Sequence, residues 1–164
     1  MSIRRSCVGL ILTLIILSDY GAGSAAAMDI MGSGMWSPTI GASDLTAGAG
    51  SNLTGSYQSN SDQVLISISN TMGYDDNWRV DVRRSDTNWH SNFVLSVRRT
   101  GDGTGGGLIA GGGSYQSVGI SDGAFFSGAG DRSDIPIQLQ ISGVSIQIPP
   151  ATYSTSIIFT VVDT

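Results

Sequence analysis

Few kinds of titratable side chain occur in this sequence. Its eight basic residues are all Arg, its thirteen acidic residues are all Asp, and it has one His and one Cys. General acid–base catalysis needs groups of suitable pKa held together, and only His90 has an ordinary pKa near neutrality. It lies in TNWHSN (87–92), a polar turn. Ser and Asp are plentiful enough to complete a triad, but no G-x-S-x-G elbow presents a nucleophile. His90 is therefore read as a turn residue. Asp75 and Asp76 are the obvious carboxylate pair for glycoside hydrolysis, yet adjacent residues in a strand or turn point apart. The expectation is a protein that is not an enzyme.

Metal chemistry has a better footing. YDDN (74–77), GDG (101–103), SDG (121–123) and DRSD (131–134) place Asp in Gly-rich turns. Carboxylate and carbonyl oxygens there can meet a hard cation, so Asp75, Asp76, Asp102, Asp131 and Asp134 are calcium candidates. None fits the helix-loop-helix or nonapeptide calcium pattern, and Asp and Gly are also ordinary turn residues. No cofactor is expected, with calcium as the alternative. The run GDGTGGGLIAGGG (101–113) lacks the Lys and following helix of a phosphate loop. Asn52-Leu53-Thr54 is a formal glycosylation sequon. Trp36, Tyr57, Tyr74, Trp89 and Tyr115 fall in turns or weak strands, where exposed rings can stack on sugars. Trp89, among polar neighbours, is the one expected to be exposed.

The elements that carry these residues read as strands. Lys and Glu, the common surface helix formers, are absent, while Gly numbers 23; short strands joined by turns follow. Val64, Ile66 and Ile68 alternate with Leu65, Ser67 and Ser69. Trp78, Val80 and Val82 oppose Arg79, Asp81 and Arg83. Phe93, Leu95 and Val97 form another buried face, as do Ile135, Ile137, Leu139 and Ile141. Gly143 breaks or bulges that run, and Val144, Ile146 and Ile148 continue its period. The last strand, 153–162, is apolar on both faces from Ile157, which marks a central or covered strand. Six or seven such strands, with Trp78 early among them, predict an immunoglobulin-like antiparallel β-sandwich, with a jelly roll as the alternative.

Residues 1–27 read as a signal peptide. Arg4 and Arg5 precede the apolar stretch VGLILTLIIL (8–17), which is too short to span a bilayer, and Ala25-Ala26-Ala27 offers a cleavage site. Cys7 lies within this leader, so cleavage would leave a chain without thiol or disulfide. The expected location is extracellular or at the cell surface, with no membrane span after cleavage. Beyond residue 27 twelve Asp stand against six Arg, which makes nucleic acid an unsuitable partner. Residues 28–61 are a Gly- and Ser-rich segment, and 62–164 are expected to form the sandwich domain.

The closing segment IPPATYSTSIIFTVVD (148–163) resembles the ends of bacterial surface sandwiches, namely WxL cell-wall-associated domains, the spore coat protein U group and chaperone–usher pilins. NWRVDVRR (77–84) is similar to the Trp-bearing strand of such domains. Trp78-Arg79-Val80 departs from Trp-x-Leu, and the pilin cysteine pair is missing. The resemblance implies an exported bacterial protein of a surface, fimbrial or pilus-like appendage. Taken together, the expected function is a non-catalytic structural subunit of a fibre, appendage or coat that self-associates by strand complementation. Its donor contacts would be Met28, Ile30, Met35, Trp36 and Ile40, and its acceptor contacts Ile158, Thr160 and Val162. Alternatively the same segment folds back on its own domain. The alternative function is a secreted carbohydrate- or calcium-binding adhesin module, with a glycan as partner.

Overall fold

A computed structural model describes the backbone of residues 8–14 and all of residues 28–164. The strands in chain order are β1 (Val8–Leu14), β2 (Asp29–Gly34), β3 (Thr39–Ile40), β4 (Ser56–Gln58), β5 (Val64–Ser69), β6 (Asn77–Asn88), β7 (Val94–Arg99), β8 (Thr104–Gly105), β9 (Ile109–Gly111), β10 (Gln116–Ser117), β11 (Gly123–Ala129), β12 (Arg132–Ser142) and β13 (Thr152–Asp163). One sheet runs β3-β1-β13-β6-β11-β9 and the other β10-β7-β12-β5-β2, with β4 and β8 also paired to β12. Pairing is antiparallel except between β1 and β13. The molecule is an all-β sandwich, as the alternating sequence predicts.

The period-2 pattern sets the register. Ile66, Ile135, Ile137, Leu139, Val97, Trp78 and Val80 are wholly buried between the sheets. A one-residue slip in any of these strands would turn its apolar set to water. Phe125 and Phe126 are consecutive yet both buried. A bulge between Ala124 and Phe126 in the β11–β6 ladder removes the alternation there, which is what an extra residue does to a strand. A second irregularity between Arg132 and Ile135 includes Asp134 at φ 56, a left-handed conformation that Asp tolerates. Its N–H donates to Ser67 Oγ at 3.1 Å.

Residues 28–61 belong to the same sandwich. β2 pairs along its length with β5, from Asp29↔Ser69 to Gly34↔Val64. Ile30, Trp36 and Ile40 are buried in the common core, and Met28 and Leu53 pack against it. Between Gly143 and Ala151 the structure departs from the expected strand. Gly143 has φ 82 and the chain turns, with Ile148 N–H donating to Ser145 O. Val144 and Ile148 are buried while Ile146 is exposed. The expected period therefore fails at Ile146, because a left-handed Gly and Pro149-Pro150 replace the ladder. Tyr153 is the second residue of the next strand, and its Oη–H donates to Pro149 O at 2.8 Å. This ties the turn to β13 in the manner of the tyrosine corner of sandwich domains.

Candidate functional site

Two places combine unusual geometry with residues that the sequence singles out: the edge of β13, and the end of the sandwich where the Asp-bearing turns meet.

β13 has β6 on one side over nearly its whole length, from Ser154↔Asn88 to Asp163↔Trp78. On the other side lies β1, parallel, in register from Gly9↔Thr152 to Leu14↔Ile157. β1 is the apolar part of the expected leader, and β3 flanks it through Val8↔Ile40 and Gly9↔Thr39. The remaining leader features, Arg4, Arg5, Cys7 and Ala25 to Ala27, lie outside the described residues. From Ile158 to Asp163 no strand among the described residues pairs with β13 on the β1 side. An open run of strand backbone presents unpaired N–H and C=O groups that another strand can satisfy. Ile158 is buried, and Thr160 and Val162 are half-buried. The expected donor residues lie apart from this edge: Ile30, Trp36 and Ile40 serve the chain's own core, Met28 is half-buried, and Met35 is exposed.

At the sandwich end where β6 begins and β13 finishes, turn carboxylates are engaged locally. Asp76 accepts the Met72 N–H. Asp131 accepts both the N–H and the hydroxyl of Thr71, at 3.0 and 2.7 Å. These two hydrogen bonds hold the Asp131 carboxyl below its ordinary pKa. Asp102 pairs with Arg99, and Asp134 occupies the β12 irregularity. Among the described residues no three His, Cys or Asp side chains converge on a cation position. The Gly-rich stretch 101–107 is tied down by Arg132, a buried guanidinium that donates to the carbonyls of Asp102 and Gly107. β8 pairs with β12 in the same place, through Arg132↔Gly105.

His90 sits at the opposite end. Its Nδ1 accepts the Asn92 N–H at 3.2 Å, and its ring packs near Phe93 and Tyr153. Trp89 corrects the expectation of exposure. It is half-buried against the core, its Nε1–H donates to Phe93 O at 3.2 Å, and the Arg84 guanidinium lies 5.4 Å from its ring centre. Polar neighbours mark a turn, but a turn can still fold an indole inward. Trp36 is buried, and Tyr57 and Tyr115 are half-buried, the latter under Arg98. Of the five aromatic candidates only Tyr74 stands out into solvent, at 74 % exposed. Among the described residues no helix is long and apolar enough to cross a membrane. No family model matches the chain, and no curated protein matches it.

Proposed function

We propose that this chain is an exported, non-catalytic structural subunit of a surface fibre or coat, assembled by adding a strand to the edge of β13. The carrying observation is that the edge opposite β6 takes an extended apolar segment, Val8–Leu14, in continuous register. Main-chain hydrogen bonds supply affinity in such β-augmentation, and alternate side chains supply register. The segment that fills the edge is the one a signal peptidase would remove. Cleavage after Ala27 would leave β13 open from Thr152 to Asp163, a site for a strand from a neighbouring subunit. A head-to-tail contact of that kind propagates into a filament when the rotation between subunits does not close a ring. The acidic surface and the leader features support export and a non-nucleic-acid role.

The test compares the full chain with a chain starting at Met28, by negative-stain microscopy and sedimentation. The shorter chain should form filaments, and a VGLILTL peptide flanked by solubilising residues should cap it and hold it monomeric. The full chain should remain unassembled. A shorter chain that stays monodisperse and does not bind the peptide would overturn the reading.

A further inference from the structure

The Gly-rich stretch 101–107 and the turn 71–77 meet at Tyr74 in a way that neither the strand ladders nor the β13 edge requires. The ring rests edge-on against the backbone of Gly106: a Cβ added there would lie 2.2 Å from Tyr74 Cε1 and 2.3 Å from Cδ1, but 3.5 Å from Cζ. Gly130, at φ 67, passes close to Tyr74 Cα, where an added Cβ would come within 3.2 Å. Two glycines thus make room for one exposed aromatic residue. With its edge seated and three quarters of its surface in solvent, the ring keeps its faces free. It lines two open clefts, of about 580 and 400 Å³, which fall in the range of ligand-binding clefts.

The chemistry of the walls narrows the ligand. Asp75 and Asn77 line the first cleft, together with the exposed Leu108. Thr104, Asp131 and Ser133 line the second. Hydroxyls, an amide and carboxylates are the donors and acceptors that match sugar hydroxyl groups, and an exposed tyrosine face matches the C–H face of a pyranose. Neither lining contains Arg or His among the described residues, and both contain a carboxylate, so an acidic sugar or a phosphate would meet like charge. Two adjoining open clefts divided by one ring suit consecutive residues of a chain rather than one enclosed small molecule. Both clefts are open and mixed in lining, unlike the deep apolar hole that takes the side-chain anchor of a protein interface.

We propose that the Tyr74 ridge and its two clefts bind a linear neutral oligosaccharide, with the ring stacking on one sugar and the flanking carboxylates and hydroxyls holding its neighbours. The site lies at the end of the sandwich where β6 starts, and Thr164, just beyond β13, joins the lining of the first cleft, so the site stays available when the β13 edge is occupied only between Thr152 and Ile157.

Affinity electrophoresis of the full chain through gels containing hydroxyethyl cellulose, mixed-linkage glucan, glucomannan, galactomannan or glycol chitin tests this, with polygalacturonate as the acidic control. Retardation is expected on at least one neutral polymer and not on polygalacturonate. Tyr74→Ala should weaken binding about tenfold, the upper end of one aromatic stacking contact, while Tyr74→Trp retains it. Gly106→Ala should weaken it comparably by displacing the ring, with the thermal midpoint unchanged for all three variants. Passage of the full chain unretarded through every neutral gel would overturn the proposal, as would equal retardation of Tyr74→Ala. Self-association in sedimentation that Tyr74→Ala abolishes would overturn it in favour of a protein contact. Binding to choline that salt suppresses would overturn it in favour of a cationic ligand.

Discussion

Trp78 offers the sharpest check on how the core is built. It is wholly buried on β6, its Nε1–H donates to Gly130 O at 2.9 Å, and its ring meets Phe126 edge-to-face at 6.0 Å. Trp78→Phe removes the donor and leaves a buried carbonyl unpaired, at a cost of about 1–3 kcal/mol. The smaller ring forfeits roughly another 1–2 kcal/mol of packing, for a total near 3 kcal/mol. Gly128 makes a complementary case. A Cβ there would lie 2.5 Å from Trp78 Cη2, 2.6 Å from Cζ2 and 2.9 Å from Leu108 O, so Gly128→Ala alone should cost about 1–3 kcal/mol by overpacking, of which only the Leu108 contact persists without the indole. In the Trp78→Phe background those two ring atoms are gone and the methyl occupies part of the vacated space. The double variant should therefore be more stable than additivity predicts by about 1 kcal/mol or more, the range of coupling between residues in contact. Urea unfolding followed by far-UV circular dichroism measures all four proteins. With a slope near 2 kcal/mol per molar, Trp78→Phe alone should lower the midpoint by about 1.5 M. Costs that add within about 0.5 kcal/mol would refute the contact between Gly128 and the indole. A single-variant loss below about 1 kcal/mol would refute the role of the buried hydrogen bond.

Gly143→Ala tests the turn that ends β12. The residue has φ 82 and an added Cβ would lie 1.9 Å from Asn92 O; left-handed strain and a backbone clash together should cost about 2–4 kcal/mol, read from the same urea titration. Asp131 gives a pH test. Its carboxyl is held low in the folded state by Thr71, so the stabilisation it brings is present at neutral pH and is lost as pH falls through the depressed folded-state value. Thr71→Val removes the hydroxyl donor, and the Asp131 carboxyl should then titrate at higher pH in a carbon-13 NMR titration; an unmoved titration would show that the hydroxyl bond does not set it.

The sandwich was legible because its ladders are written in period 2. β5 and the first half of β6 alternate as Val64 to Ile68 do, and β7 and β12 bury the predicted face with Ser96 and Gln138 buried beside it. The doubly apolar end of β13 reads as a central or covered strand, yet the two neighbours flank only its first half: β1 stops at Ile157, and beyond it β6 alone pairs with β13 among the described residues. What the sequence concealed is set by contacts between distant residues. Ile146, which the period groups with Val144 and Ile148, is exposed, because the turn after Gly143 removes the ladder that would set its face. Ile30, Trp36 and Ile40 sit among glycines and read as a loose segment, yet β5 supplies the partner that makes β2 a strand. Tyr74 looks like any turn aromatic until Gly106 and Gly130, which lie far along the chain, are seen to make its seat. Trp89 has polar neighbours in sequence and apolar ones in space. The pairing of Val8–Leu14 with β13 was hidden for another reason: an apolar run of that length has the same composition whether it is a leader or a strand.

The way β6 and β13 meet has a kinetic consequence. Thr155 Oγ1 donates to Ser85 O across 70 residues of chain, and Leu139 N–H donates to Ser59 Oγ across 80. Both sheets are thus held by partners far apart in sequence, so loop-closure entropy must be met before most native contacts form. Topologies of this high contact order fold in milliseconds to seconds rather than microseconds. During synthesis the first sheet has no neighbour for β6 on the β13 side until residues 152–163 have emerged. Nascent chains of this protein should therefore stay extended and accessible to a pulse of protease until the whole β13 segment is available, a state in which a polypeptide can still be threaded through a narrow export channel.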